Sequence, residues 1–188
     1  MEQQGADRRT GLNATAGEPP IRPAGTGDIP ELYALILEHG PNPWNHLPPD
    51  EVRAHLEGIA DGSVGAMLAE LEGGPVGFVS FYLCRDFHAH QPDERRDLPQ
   101  GYVCEAVVRR DLAGKGLGTR LLQAAMARLA ASGAADIYIE RHEENLGSAG
   151  MMRKAGFREV TTFDDPSRRP NGSRRTTLCH WCADEAVR

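Results

Sequence analysis

Two kinds of residue in this chain have the type and spacing to do chemistry. Glycines alternate along a turn after a β-branched strand, and glutamates sit in strands that are otherwise apolar. The turn is Val108-Arg109-Arg110-Asp111-Leu112-Ala113-Gly114-Lys115-Gly116-Leu117-Gly118-Thr119. Glycine lets a backbone turn tightly and approach a ligand with no Cβ in the way. The helix expected from Leu117 leaves the N–H groups of its first turn unpaired within it, with the positive end of its dipole behind them. Such a turn suits a phosphate or pyrophosphate. It is not a P-loop, because no Ser or Thr follows Lys115. Gly114-x-Gly116-x-Gly118 also lacks the spacing of a dinucleotide fingerprint, although the next strand does end in an acidic residue, Glu140. Taken alone, these glycines suit a packed strand-to-helix connection as well as they suit a phosphate site.

Glu105 lies in Tyr102-Val-Cys-Glu-Ala-Val-Val108. An ionised carboxylate there is costly unless it is paired or faces a wet cavity. Burial raises a carboxyl pKa and makes it a better base. The alternative is a structural pairing with a nearby Arg. Glu140 ends the strand Asp136-Ile-Tyr-Ile-Glu140, where α/β sites gather, and the alternative there is a solvated strand end. Tyr102, Tyr138 and Ser148 carry hydroxyls that are candidate proton donors. Against that, the tyrosines suit interior packing and Ser148 suits a helix start. No metal site is expected. Cys179-His180-x-Cys182 is the one close Cys/His set, and adjacent strand residues point to opposite faces.

The elements that position these residues follow from periodicity. Residues 1–20 read as a disordered tail, and residues 21–188 as one domain. Ile21–Pro23 is a short strand. A helix is expected over Ile29–Glu38, capped by Asp28, and a second through Ala60, capped by Asp50. Between them lies a Pro-rich loop, His39–Pro49, with Trp44 and His46. Hairpin strands Ala66–Leu71 and Val76–Leu83 turn at Glu72-Gly73-Gly74. A polar connection, Arg85–Gln100, leads to the strand Gly101–Val108. Leu117, Leu121, Leu122, Ala125, Met126 and Leu129 mark one apolar face of a helix over Leu117–Ala131. Strand Ala135–Glu140, a short helix from Asn145 to near Gly156, and strands Phe157–Phe163 and Thr176–Trp181 complete a mixed α/β fold. Arg168, Arg169, Arg174 and Arg175 fall in the last hairpin loop. They suit a solvated loop end, or else an edge of the site that favours anionic partners.

Composition bounds the function. The chain has 188 residues, 40% hydrophobic, with a formal net charge of −6, which argues against binding nucleic acid. No apolar run has the length of a membrane span, and the polar N-terminus is not a signal peptide. The four cysteines form no secreted framework, so a reduced, cytoplasmic setting is expected.

Gly101 to Phe157 resembles the GCN5-related N-acetyltransferase superfamily. Ala113-x-x-Gly116-x-Gly118 is similar to its Arg/Gln-x-x-Gly-x-Gly motif. Asn145-Leu-Gly-Ser148-Ala149-Gly-Met151-Met152-Arg-Lys-Ala-Gly156-Phe157 is similar to its Asn-x-x-Ala-x-x-Leu-Tyr-x-x-x-Gly-Phe signature. The resemblance extends from about Ile21 to Trp181. It implies a mostly antiparallel central sheet flanked by helices, and transfer of an acetyl group from acetyl-CoA to a primary amine of a small molecule or peptide by direct attack. The turn Ala113–Thr119 with Asn145 and Ser148 would hold the cofactor, and Val108 would pair with its pantetheine arm. Glu105 and Glu140 become candidate general bases, Glu140 standing five residues before the motif Asn as in the superfamily's peptide-terminus enzymes. Trp44 and His46 fall in the loop that covers the acceptor side. Two departures stand out: Ala113 replaces Arg or Gln, and Met152 replaces a Tyr that gives a proton to the leaving thiolate. A thioether has no proton to give, so a non-catalytic acyl-CoA-binding module is the alternative. A homodimer is left open.

Overall fold

The computed structural model describes residues 17–183. Most of the expected N-terminal tail lies outside the described residues. Its last residues are held: the Pro19 and Pro20 carbonyls accept from Arg120 Nη2 and Glu70 N–H at 3.2 and 3.1 Å.

The chain forms β1 (Ile21–Pro23), α1 (Ile29–His39), α2 (Pro49–Asp61), β2 (Gly65–Leu71), β3 (Gly74–Cys84), β4 (Gln100–Val108), α3 (Leu117–Ala131), β5 (Asp136–His142), α4 (Leu146–Ala155), β6 (Arg158–Asp164) and β7 (Arg175–Cys182). The strands make one seven-stranded sheet in the order β1-β2-β3-β4-β5-β7-β6. Every pairing is antiparallel except β4 with β5. Strand alternation splits the core between the two faces. Ala66 and Leu68 of β2 pack with α1 and α2, while Met67 and Ala69 turn to α3 and α4. All six apolar positions expected along α3 are buried.

Helix caps differ from expectation. Asp28 precedes α1, but its carboxylate accepts from Gly25 N–H and Arg22 instead of a helix N–H, so it closes the preceding 3-10 turn. Pro48 stands at the cap of α2, and Asp50 falls inside its first turn. Pro49 starts that helix because its fixed φ suits the first turn and its missing N–H has no partner to lose there. β5 runs two residues beyond Glu140. Arg141 and His142 are polar yet buried, paired with Thr177 and Thr176 of β7.

Two irregularities build the site. β4 and β5 pair only over Gly101–Val103 with Ile137–Ile139, and then part. In β4 itself, Val79 of β3 opposes Ala106 while Phe81 opposes Val103, so Cys104 and Glu105 together face Ser80. This β-bulge lets Val103 and Ala106, three residues apart, both pack toward α3.

Candidate active site

Where β4 and β5 part, a cavity of about 790 Å³ opens between them. Its floor is the free edge of β4 from Cys104 to Val108, its far wall is β5, and the starts of α3 and α4 stand at one end.

The glycine turn forms that end. Gly114 and Gly116 have φ of 76° and 85°, in the left-handed region, and open space lies where a Cβ would stand. The Arg120 N–H to Gly116 carbonyl bond, 3.1 Å, is the first of α3. The amides of Leu117, Gly118 and Thr119 therefore have no acceptor within the helix. Gly118 serves packing as well: a Cβ there would come within 2.8 Å of Met151 Sδ on α4. Asn145 caps α4, its Oδ1 accepting from Ser148 N–H at 3.0 Å. Ala113, Gly114, Gly116, Gly118, Thr119 and Val108 line the cavity, as do Asn145 and Ser148. Lys115 is exposed and points elsewhere, and the Leu117 side chain is buried in the core.

Glu105 and Glu140 both line the cavity, from opposite strands. Glu105 sits at the bulge, its N–H donating to Ser80 Oγ at 3.2 Å. Ser80 is fully buried and bonds His55 Nε2 at 2.8 Å, so a second layer holds the bulge in place. Burial pushes the His55 imidazole pKa down, which keeps it neutral. Among the described residues nothing donates to the Glu105 carboxylate. Burial pushes its pKa up to about 7, against the smaller opposing pull of Arg169. Glu140 is different: its Oε2 accepts from Tyr102 OH at 3.0 Å and from Arg168 Nη1 at 2.7 Å.

Of the hydroxyls considered, Tyr102 and Ser148 line the cavity and Tyr138 does not. Tyr138 is stacked between Phe87 and His180, at ring distances of 4.5 and 4.7 Å, on the far side of β5's start. Burial, with Glu140 beside it, pushes the Tyr102 pKa well above 10 and keeps its proton on. Met152 is buried on α4 and touches the cavity with its thioether.

Two loops roof the opposite end. His46, with Asn42 and Asn45, lines the cavity from the α1–α2 loop. Trp44 does not reach it. Its ring packs on His142 at 4.7 Å, pinning the loop instead of walling the site. The β6–β7 loop meets this loop edge to edge. Asn171 Nδ2 donates to the Pro43 carbonyl at 3.1 Å, and Arg169 Nη1 reaches the Trp44 carbonyl at 3.5 Å. Arg168 and Arg169 thus line the cavity, while Arg174 and Arg175 lie outside it. Charge clustering marked this loop in the sequence, but which two of the four arginines turn inward is set by Asp165 and Thr176. Asp165 pairs Arg168 at 2.8 Å, and Thr176 Oγ1 accepts from Arg169 Nε at 2.9 Å. Cys179 faces the core while His180 bonds buried Asp136 at 2.8 Å, so the two diverge. Among the described residues no group of three His, Cys, Asp or Glu side chains is placed to hold a metal.

The site is thus a cavity between two parting parallel strands, lined by two glutamates and closed at one end by a glycine turn and a helix start. A sequence profile of the Acetyltransferase (GNAT) family matches residues 29–157, and the chain belongs to that family. It is 31% identical over 144 residues to the L-methionine sulfoximine/L-methionine sulfone acetyltransferase of Pseudomonas paraeruginosa, covering 73% of this chain and 78% of that one. The protein of the same name in Pseudomonas aeruginosa matches to the same extent. Among solved structures, Arabidopsis thaliana NAA60 in complex with acetyl-CoA superimposes with a TM-score of 0.72 at 12% identity, over 88% of this chain and 98% of that one. The ribosomal-protein-S18-alanine N-acetyltransferase of Escherichia coli gives 0.66 at 16% identity, over 87% and 92%. At such identities these structures speak to the fold. No helix among the described residues is long and apolar enough to cross a membrane.

Proposed function

We propose that this enzyme acetylates the primary amine of a small molecule with acetyl-CoA as donor, and that Glu105 is its general base. The carrying observation is the Glu105 carboxyl: it is set into the cavity floor by the bulge, has no donor among the described residues, and has a pKa raised by burial to about 7. A base poised near the operating pH is the efficient one.

The residues present fit acetyl-CoA. Open left-handed glycines and three free helix amides suit its pyrophosphate. The unpaired edge of β4 up to Val108 suits the amide-bearing arm. When bound, the cofactor supplies a thioester carbonyl as electrophile. The chain's own part is proton handling and alignment. An alkyl ammonium is not nucleophilic and must lose a proton. Glu105, ionised in part at neutral pH, takes it. Glu140 is held in place on β5 by Tyr102 and Arg168, so its carboxylate is engaged where that of Glu105 is not. Tyr102 and Ser148 are the candidate donors whose hydroxyls belong to cavity-lining residues, in place of the family tyrosine that Met152 replaces, and Tyr102 keeps its proton while donating to Glu140.

The hydrogen bonds joining the two roof loops support a small acceptor over an extended peptide, because they bridge the ground a peptide would cross. The relatives' names point the same way, to L-methionine sulfoximine and sulfone. Free thiols at Cys84, Cys104, Cys179 and Cys182 support a reducing compartment, the cytoplasm. The test is thiol release from acetyl-CoA with a panel of primary amines and peptides, followed against pH. kcat/KM should rise through pH 7 to a plateau. Glu105→Gln should lose roughly 10²- to 10⁴-fold. A flat profile, or a Glu105→Gln enzyme with wild-type rates, would remove Glu105 from the role.

A further inference from the structure

One basic charge at the cavity is drawn partly out of water with no ion-pair partner among the described residues: Arg169. Four basic side chains line the cavity: Arg141, Lys154, Arg168 and Arg169. Arg141 is spent on Glu159 at 2.6 Å and on the carbonyls of His142 and Glu143. Arg168 pairs with two carboxylates, Glu140 at 2.7 Å and Asp165 at 2.8 Å. Lys154 stands exposed in the last turn of α4. Arg169 is half-buried, and its side-chain hydrogen-bond partners are neutral: Thr176 Oγ1 at 2.9 Å and, at the long distance of 3.5 Å, the Trp44 carbonyl; Glu105, Glu140 and Asp165 act on it at longer range. Among the described residues no acceptor meets its Nη2 and no carboxylate lies within ion-pair distance of it.

A guanidinium drawn partly out of water without a counter-ion is costly. Thr176 and Trp44 fix its orientation, so the free Nη2 and the loosely held Nη1 present one side of the fork. A carboxylate is the planar anion that matches that fork. Its place under the roof, away from the glycine turn, assigns it to the acceptor and not to the cofactor phosphates. Glu105 and Glu140 on the walls suit the acceptor's ammonium.

From this complementarity we propose that Arg169 anchors a carboxylate of the acceptor, so that the substrate class is a primary amine bearing a carboxylate, an amino acid or close analogue. The proposal rests on the acetyl-transfer reading above and adds to it the residue that selects the acceptor. It makes Arg169 a specificity determinant, while Arg174 and Arg175, with the same charge on the same loop, are not.

The test compares L-methionine sulfone with its carboxamide as acceptors, with coenzyme A affinity measured by calorimetry on every variant as a control for folding and cofactor binding. Wild type should favour the acid by roughly 10- to 100-fold in kcat/KM, the scale of a charge-assisted pair. Arg169→Gln should bring that ratio close to one by losing much more from the acid than from the amide, leaving coenzyme A affinity nearly as it was. Arg169→Lys should recover part of the preference, since it keeps the charge without the fork. Arg174→Gln should keep the wild-type ratio. Added salt should erode the preference only partly, because a half-buried charge is screened less than an exposed one. The proposal is overturned if wild type uses acid and amide equally, if Arg169→Gln lowers both alike, or if that variant still prefers the acid. Should coenzyme A bind but neither acceptor be acetylated, transfer to this class of amine is refuted and the anchor with it. Absence of coenzyme A binding would instead refute the transfer reading itself.

Discussion

Glu105, as the proposed base, sets stability against catalysis in a single residue. In the unfolded chain its carboxyl ionises near the ordinary 4.5, and in the fold burial moves that to about 7. Between those values the folded protein holds a proton that the unfolded chain has released. Stability therefore falls as pH rises through that window. Above it the penalty is complete, at most about 3 kcal/mol and less where the cavity admits water. Glu105→Gln removes the ionisation. Its urea midpoint at pH 8 should exceed that of wild type by an amount equivalent to about 1–3 kcal/mol, while the two should converge near pH 4.5. Parallel pH dependence in both proteins would mean that Glu105 does not titrate in this window. The stabilised variant is the one expected to lose activity, so the two measurements together separate a base from a merely buried acid. That Glu105 would be special was legible in the sequence, as a charge in an apolar strand. Its freedom from partners was not, because the bulge at Cys104-Glu105 leaves no mark in the pattern Tyr-Val-Cys-Glu-Ala-Val-Val.

At the scale of elements, period carried most of the reading. The six buried positions of α3 recur at helical spacing, so the helix and its inward face follow from the residues alone. β5 was read two residues short because Arg141 and His142 are polar. They are buried with partners across the fold, Glu159 for Arg141 and the Asn171 carbonyl, 2.9 Å away, for His142. Which residues of the roof loops face the cavity is decided in the same way: ring packing on His142 turns Trp44 away, and a hydroxyl from Thr176 holds Arg169 at the cavity. The glycines of the turn also divide. Gly116 is needed for its φ of 85°, and Gly118 for the close approach of Met151. Gly116→Ala places a Cβ in the left-handed region, at about 1–2 kcal/mol. The turn relaxes from it in the free protein, and cofactor binding must restore it, so coenzyme A affinity should fall roughly tenfold. At Gly118→Ala the opposing atom is the end of a flexible thioether, which swings aside, and affinity should change far less. Calorimetric titration of both variants measures the contrast. Unchanged affinity in Gly116→Ala would mean that the cofactor does not lie over this turn.

Across the whole molecule, the site exists because β4 and β5 are fastened at one end and free at the other. The fastening is a buried polar network at the start of β5. Asp136 is fully buried and accepts from Arg95 Nε at 2.7 Å, Gln91 Nε2 at 3.0 Å and His180 Nε2 at 2.8 Å. Gln100 Nε2 then donates to Gln91 Oε1 at 2.7 Å, which ties the long connection after β3 to the first residue of β4. In sequence this connection read as a polar stretch with two histidines, since its anchor lies 41 residues away at Asp136. Burial alone would raise the Asp136 pKa, but the bonds from Arg95 and His180 outweigh it and hold the carboxyl below its ordinary 3.8. A group held down in the fold contributes stability above its unfolded pKa and loses it as pH falls through the folded value. Asp136→Asn removes the buried carboxylate charge that Arg95 and His180 bond, a change of about 3 kcal/mol by analogy with broken buried pairs. The variant should unfold at markedly lower urea at pH 7. Wild type should shed that advantage on acidification below pH 4, and the two curves should draw together. With the closed end loosened, the parting of the strands is no longer fixed, and coenzyme A affinity should drop even though Asp136 lies outside the cavity. A variant that loses stability yet binds coenzyme A as wild type does would show that the network only holds the connection in place, and that α3 and α4 alone set the opening between the strands.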